Sequence, residues 1–442
     1  MNPLRNRHFT HEDGGATVNR MRQTRPAPAV TTALDSPSAT SVAGPFAGHR
    51  EGSPGLRRVA VALFASGLAT FALLYSTQPL LPSLAERFRI SPGSAALSVS
   101  VTTVALGLAL LVAGPLSEVR GRTGLMKWSI IASAVIGLAV AVAPSWPVLL
   151  VLRAVQGVAL AGLPAVAMAY LREEVHPAAH ARTTGLYVGG TAIGGMCGRL
   201  VAGGLADLGG WRVAVAGIGV LGLLCGAAVW RLLPASRNFT PAEPRVGALL
   251  RTGGRLLRDP GQLLLYGIAA TMMGAFVAVY NATGFRLAAG PYHLGVGAAG
   301  LVFVVYLVGS FSSTAAGRIA DRIGRGPVIP AAAVVTAAGI ALTLCRPLPL
   351  IILGLAVMTA GFFAAHGVAS GWVPARAAAS GIGGTGQAAS LYLFAYYLGS
   401  SVFGDLAGTA WSADAWTGVT AMTLTLTAAG AALSATAWLT AR

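Results

Sequence analysis

Apolar residues in this chain gather in long runs rather than in the short, regularly spaced stripes of a soluble core. Twelve runs stand out, over residues 59–81, 95–116, 127–145, 148–171, 184–206, 212–233, 262–285, 297–318, 328–345, 348–372, 387–409 and 416–439. They are roughly 18–24 residues long, and a helix rising 1.5 Å per residue needs about 20 to cross about 30 Å of hydrocarbon. No water reaches the lipid core, so the backbone must bond to itself, and a helix does so. The run at 127–145 is short and the run at 387–409 carries many polar groups. The expected fold class is an all-α membrane protein with twelve transmembrane helices.

Polar stretches divide these runs. Residues 1–56 are rich in Ala, Thr, Ser, Pro, Gly and Arg without periodicity, and read as a disordered cytoplasmic tail. Residues 234–260 carry Arg237, Arg245, Arg251, Arg255 and Arg258 and split the chain six plus six. The expected domains are thus an N-terminal six-helix bundle over 57–233, a cytoplasmic central loop over 234–260 and a C-terminal six-helix bundle over 261–442. Within the loop, 248–258 reads either as a short basic helix on the membrane surface or as a flexible linker.

Composition agrees with the pattern. The chain is 55% hydrophobic and 10% charged, where a soluble protein carries about a quarter charged residues. A net charge of +17 raises the question of nucleic acid, which sorting the basic residues answers. Alternating the helices from an inside N-terminus places 24 Lys/Arg on the cytoplasmic side and five outside, namely Arg87, Arg89, Arg212, Arg286 and Arg346. That asymmetry predicts both termini in the cytoplasm. The charge then reports topology and contact with anionic lipid, not a nucleic-acid partner. All eight tryptophans lie near run ends, where amphipathic rings prefer the headgroup level. The three cysteines suggest neither a disulfide framework nor a metal site.

One nine-residue pattern occurs twice, as GPLSEVRGR from Gly114 to Arg122 and GRIADRIGR from Gly317 to Arg325. Each places Gly, acid and Arg at i, i+4 and i+8, with a further glycine (Gly121, Gly324) before the Arg. On one helical face, Gly114 or Gly317 would admit a neighbouring helix. Glu118 or Asp321 would pair with Arg122 or Arg325, or face the positive N-terminus of a neighbouring helix, forming a latch that exists in one conformation only; the alternative is a simple stop-transfer end with an ion pair. A weaker echo, LYVGGTAIGG from Leu186 and LYLFAYYLGS from Leu391, is shifted by 205 residues against 203 for the first pattern. Two related membrane halves suggest a secondary transporter.

These motifs resemble the signature loops of the major facilitator superfamily, between helices 2 and 3 and again between helices 8 and 9. The first copy departs from the usual form at Glu118, Val119 and Thr123. The resemblance implies two pseudo-symmetric six-helix bundles, and a loop that stabilises the outward-open state through Gly114, Glu118 and Arg122. LLVLRAVQGVALAG, from Leu149 to Gly162, resembles the drug:proton antiporter pattern of the fourth helix through Leu149, Arg153, Gln156 and Gly157. There Arg153 either lines a cavity, binding an anion or biasing a carboxyl, or is a structural arginine bonded to backbone carbonyls; an arginine at that depth needs a partner. GGTAIGGMCGRLVAGG, from Gly189 to Gly204, resembles the fifth-helix signature loosely and adds Arg199, facing either substrate or an acid on another helix. The stretches 361–373 and 386–401, with Tyr75 to Pro82, resemble arabinose-efflux-permease-like inner-membrane transport proteins.

A proton-coupled carrier needs a group that titrates within the membrane. Of fourteen acids only Asp405 falls inside a run, and of seven histidines only His366 does. Asp405 is either a proton carrier or an interfacial acid; His366 is either a titrating group or a neutral histidine bonded across helices. Tyr75, Gln78, Asn281, Tyr392 and Tyr396 are expected in the cavity wall. No nucleotide-binding, metalloprotease or serine-hydrolase motif is present, so no cofactor, metal or enzymatic role is expected, and nothing demands more than one chain. The expectation is a secondary active transporter, by resemblance an exporter of a small organic molecule of drug or sugar type driven by protons. The alternative is proton-coupled uptake of a sugar or organic acid.

Overall fold

The computed structural model describes residues 47–241 and 246–440. Among them are ten helices long and apolar enough to span a membrane, two of which are 56 residues long. Each long helix is divided by two non-helical residues, Gly209 and Gly210 in one and Asp414 and Ala415 in the other. Twelve segments result. They are α1 (Pro54–Phe88), α2 (Pro92–Arg120), α3 (Arg122–Ala141), α4 (Trp146–Glu174), α5 (180–208), α6 (211–232), α7 (Pro260–Ala288), α8 (Val296–Ile323), α9 (Arg325–Leu342), α10 (Leu348–Ala379), α11 (385–413) and α12 (416–440).

The repeat is visible in the backbone. The two dividing points lie 205 residues apart, as do the segments LYVGG and LYLFA. Gly121 (φ +95°) and Gly324 (φ +86°) end α2 and α8 in the same left-handed conformation, 203 residues apart, which glycine adopts without steric cost.

The expected tail lies, up to residue 46, outside the described residues. Residues 47–53 run beside the end of α4, where the His49 amide donates to the Glu174 carbonyl (2.8 Å) and the His176 amide to the His49 carbonyl (3.1 Å). In the central loop Val246–Leu256 is helical, and Gln387 at the start of α11 donates to its Leu249 carbonyl (2.9 Å).

The helices are inside-out relative to a soluble core. On α4 the buried face is Leu149, Arg153, Gln156 and Leu160, while Val151, Val155 and Val158 are exposed. Lipid solvates valine as well as a neighbouring helix does, so contacts are chosen by small residues and polar groups. Gly190, Gly194 and Gly198 of α5, four residues apart, lie against the backbones of Phe64, Leu68 and Ala72 of α1. In the second half Gly399 of α11 lies likewise against Ala270 of α7.

The run at 59–81 is not one uninterrupted helix. Its regular part stops at Leu74, a 3₁₀ turn covers Gln78–Leu80, and helix resumes at Leu81–Phe88. Pro79 and Pro82 explain the break: proline offers no amide to the preceding turn and clashes with its carbonyl.

Candidate functional site

The halves meet on the side opposite the termini. There Gly93 of α2 touches Gly408 of α11, and Gly203 of α5 touches Val296 and Gly297 of α8. Ser401 of α11 donates to the Ser100 carbonyl (2.9 Å) and shares a hydrogen bond with Thr103 (2.7 Å). Asp207 accepts from the Gly297 amide (3.0 Å). On the termini side, Gly114 of α2, Gly317 of α8 and Gly386 of α11 face open space. The contacts between the halves are tight at the end opposite the termini and looser toward the termini.

Just inside the tight end, Gln78 Nε2 donates to Asn281 Oδ1 at 2.7 Å, across the halves. The repeat places Tyr75 opposite Tyr280 at a shift of 205, so Gln78 and Asn281 are neighbouring but not equivalent positions of the two first helices. Gln78 also accepts from Arg199 Nε, and Asn281 Nδ2 donates to the Gly404 carbonyl (3.1 Å). Arg199 is only 1% exposed. Its guanidinium carbon lies 4.3 Å from the ring centre of Tyr75, 4.6 Å from Tyr306 and 5.1 Å from Phe303. Such stacking on rings is favourable for a desolvated cation. Of the two readings offered for Arg199, no acid on another helix lies within 4.0 Å of it among the described residues.

Arg153 is equally buried and differently placed. It donates to the carbonyls of Leu73 (3.0 Å), Leu74 (2.6 Å) and Ser98 (2.8 Å), and to Gln156 Oε1 (2.6 Å). Gln156 in turn donates to the Ser133 carbonyl (2.9 Å). The break in α1 frees carbonyls that an uninterrupted helix would have bonded, and the guanidinium caps them at the negative end of the helix dipole. The geometry matches the carbonyl-bonded alternative.

From the Arg199 level toward the looser end the wall is aromatic. Phe276 stacks on Phe362 (3.9 Å), Tyr280 packs on Tyr306 (4.9 Å) and its hydroxyl bonds Thr359 (2.7 Å). His366 of α10 bonds the Tyr392 hydroxyl through Nδ1 (3.0 Å) and lies 4.7 Å from the Tyr396 ring.

A profile of the Major Facilitator Superfamily matches residues 59–404. The chain belongs to this superfamily. It is 43% identical over 373 residues to an uncharacterized MFS-type transporter, YybF, of Bacillus subtilis, covering 84% of this chain and 91% of the relative. It is 41% identical to the inner membrane transport protein YnfM of Escherichia coli, covering 88% and 94%. Among solved structures, an inward-facing, unoccupied bacterial homologue of the human lysosomal transporter Spinster superposes with a TM-score of 0.73 at 15% identity, covering 88% of this chain and 98% of that one. The xylose transporter XylE of E. coli, in a partially occluded inward-open conformation, gives 0.63 at 15% identity, covering 84% and 98%. The protein is therefore a multi-pass membrane transporter of the facilitator type and not an enzyme, and the expected all-α fold holds.

The facilitator's two signature loops do not show the expected acid–arginine pairs in the described conformation. Arg122 pairs not with Glu118 but with Glu173 at the end of α4, with Nη2 to Oε1 at 2.8 Å and Nε to both oxygens at 3.2 Å, and it also bonds Ser117 Oγ. Glu118 is exposed, as are Asp321 and Arg325, and none of the three makes an ion pair among the described residues. The i, i+4 rule holds only along one helix. Gly121 and Gly324 turn the chain between acid and arginine, so each arginine begins the next helix.

The remaining candidates separate into two groups. Tyr75, Gln78, Arg199 and Asn281 meet at the closed end, and His366, Tyr392 and Tyr396 meet along the wall. Asp405, half-buried on α11, belongs to neither; the backbone beside it packs near Gly93. Sequence reading missed Tyr280, Phe303, Tyr306, Ser400 and Glu173. The 205-residue shift, which sets Tyr75 opposite Tyr280, was there to be used for one of them.

Proposed function

We propose that this facilitator is a secondary active exporter of small organic molecules, of drug or sugar type, working by alternating access and exchanging its solute for protons. The observation that carries the reading is the asymmetric contact of the two halves, tight opposite the termini and looser toward them. The Lys/Arg distribution supports a cytoplasmic termini side, and with it an inward-facing reading of this conformation. Export and the antiporter branch are supported by the α4 pattern of Leu149, Arg153, Gln156 and Gly157. In the described conformation Arg153 serves that pattern as a cap on the broken α1.

Proton coupling is assigned to His366 or Asp405, the titratable groups of the membrane region with the chemistry to take a proton near neutral pH or when desolvated. His366 lies in the pathway wall on Tyr392 and Tyr396, so a solute lodged there would alter its surroundings directly. The test is transport in everted vesicles with an imposed pH gradient, a solute panel, and the variants His366→Gln and Asp405→Asn. Loss of gradient-driven accumulation, with downhill exchange retained, is expected for one of them. Unchanged proton-driven transport in both removes them as coupling groups.

A further inference from the structure

We propose that the transported solute is an aromatic carboxylate, or a similar flat organic anion, and that Arg199 receives its carboxylate at the closed end of the pathway. This rests on the transporter reading of the same cavity and adds the charge and shape of the solute.

Two buried arginines share the N-terminal half, and they differ in how they are satisfied. Arg153 has three backbone carbonyls and a glutamine oxygen. Arg199 donates from Nε to Gln78 and from Nη1 to the Gly195 carbonyl, and Nη2 makes no hydrogen bond among the described residues. No carboxylate is within ion-pair distance of it, and Asp405 is the only acid within the twelve expected runs. A membrane-buried cation is costly and normally marks a partner or a pathway. Here the protein supplies no counter-charge.

The groups packed around the guanidinium show where a counter-charge would sit. Tyr75 from one half and Tyr306 from the other stack on the guanidinium. Rings of this kind occupy faces and leave the in-plane N–H groups, the edge that binds a carboxylate with two parallel hydrogen bonds. Two buried hydroxyls lie beside this point, Tyr75 Oη on a residue 4% exposed and Ser400 Oγ on a residue 1% exposed. They interact with each other across the halves and have no other partner among the described residues. One hydroxyl proton of the pair is therefore left for an anion at the guanidinium edge. The neighbouring cluster of Phe276, Phe362, His366 and Tyr396 is a run of stacked and tilted rings, packed on one another and largely buried. It suits a flat apolar body better than a sugar, whose hydroxyls would find few partners there.

Equilibrium binding at fixed pH tests this on the purified full-length chain, by calorimetry with three isosteric probes. They are 1-naphthoate, its neutral amide 1-naphthamide, and the cation 1-naphthylmethylammonium. Saturable naphthoate binding, about tenfold or more tighter than either other probe, is expected from a desolvated charge-assisted contact. Arg199→Gln should abolish the preference while leaving naphthamide binding within about threefold, and Arg199→Lys should weaken naphthoate but keep the preference. Absence of saturable naphthoate binding overturns the proposal. So does equal or tighter binding of the amide or the ammonium, or a preference that survives Arg199→Gln. The wild-type probe series decides the matter even where a variant fails to fold. No gradient is involved, so naphthoate binding without proton-driven transport would refute the coupling reading alone. Proton-driven transport of neutral solutes without naphthoate binding would refute this one alone.

Discussion

Replacing Asn281 by leucine should release the shut end of the pathway. The side chain joins α7 to α1 through a 2.7 Å hydrogen bond from Gln78, and both residues are buried. Leucine is close to asparagine in size, so polarity is lost rather than packing. An interhelical hydrogen bond in a membrane protein contributes about 0.6 kcal/mol on average and up to about 1.7. The Gln78 amide left behind adds about 1–3 kcal/mol for an unsatisfied buried donor, partly relieved by water once the end opens. The Asn281 bond to the Gly404 carbonyl joins α7 to α11 within one half, so its loss weighs on both conformations and cancels. The net bias against the shut end is about 1–3 kcal/mol, or about 5–150-fold in the conformational equilibrium. Spin labels at Arg89 and Arg346, one on each half and both exposed, would report it by electron–electron resonance in a background lacking Cys197, Cys225 and Cys345. The wild-type chain should give mainly the short distance, and Asn281→Leu a larger long-distance population. Adding Gln78→Leu should shift the population by less than the two single changes combined, because no amide is then stranded. An unchanged distance distribution in Asn281→Leu would refute the assignment of this pair as the tie that holds the end shut.

Three further outcomes are expected. Gly194→Ala would bring a methyl group to 2.7 Å from the Leu68 carbonyl carbon, whereas Gly185 faces open space; overpacking of this kind costs about 1–3 kcal/mol, so thermal unfolding in detergent should fall for Gly194→Ala and stay put for Gly185→Ala. Glu173→Gln removes the charge partner of a largely buried Arg122, 10% exposed against 26% for Glu173, which should cost about 1–3 kcal/mol because the arginine keeps a desolvated charge; an unchanged melting temperature contradicts the pairing. Burial alone would raise the Asp259 carboxyl, but hydrogen bonds from Arg376 Nε (2.9 Å) and the Gln262 amide (2.7 Å) outweigh it and hold the group below its ordinary value of 3.8. Its stabilisation is therefore complete above the ordinary carboxylate value and lost as pH falls through the depressed one; Asp259→Asn should flatten that acid limb in a pH series of melting temperatures.

The amino-acid sequence determined the number of spans, the division into halves and the repeat. Hydropathy belongs to each segment by itself, and in lipid it needs no knowledge of neighbours. Glycine periodicity marked the close approach of α5, and the twin motifs marked the sharp turns at Gly121 and Gly324. Which residues meet was decided only in three dimensions. Apolar surface is as well solvated by lipid tails as by another helix, so a few polar and small groups select the contacts, and their partners lie far away in the chain. Arg122 finds Glu173, 51 residues on, rather than Glu118, because a left-handed glycine turns the chain between them. Arg153 caps a helix broken by proline 74 residues before it, and Arg199 is enclosed by rings from both halves. Which end of the interface is tight is likewise a matter of tertiary structure, because the bonds that close it, Gln78 to Asn281 and Ser401 to Ser100, join residues about 200 to 300 positions apart.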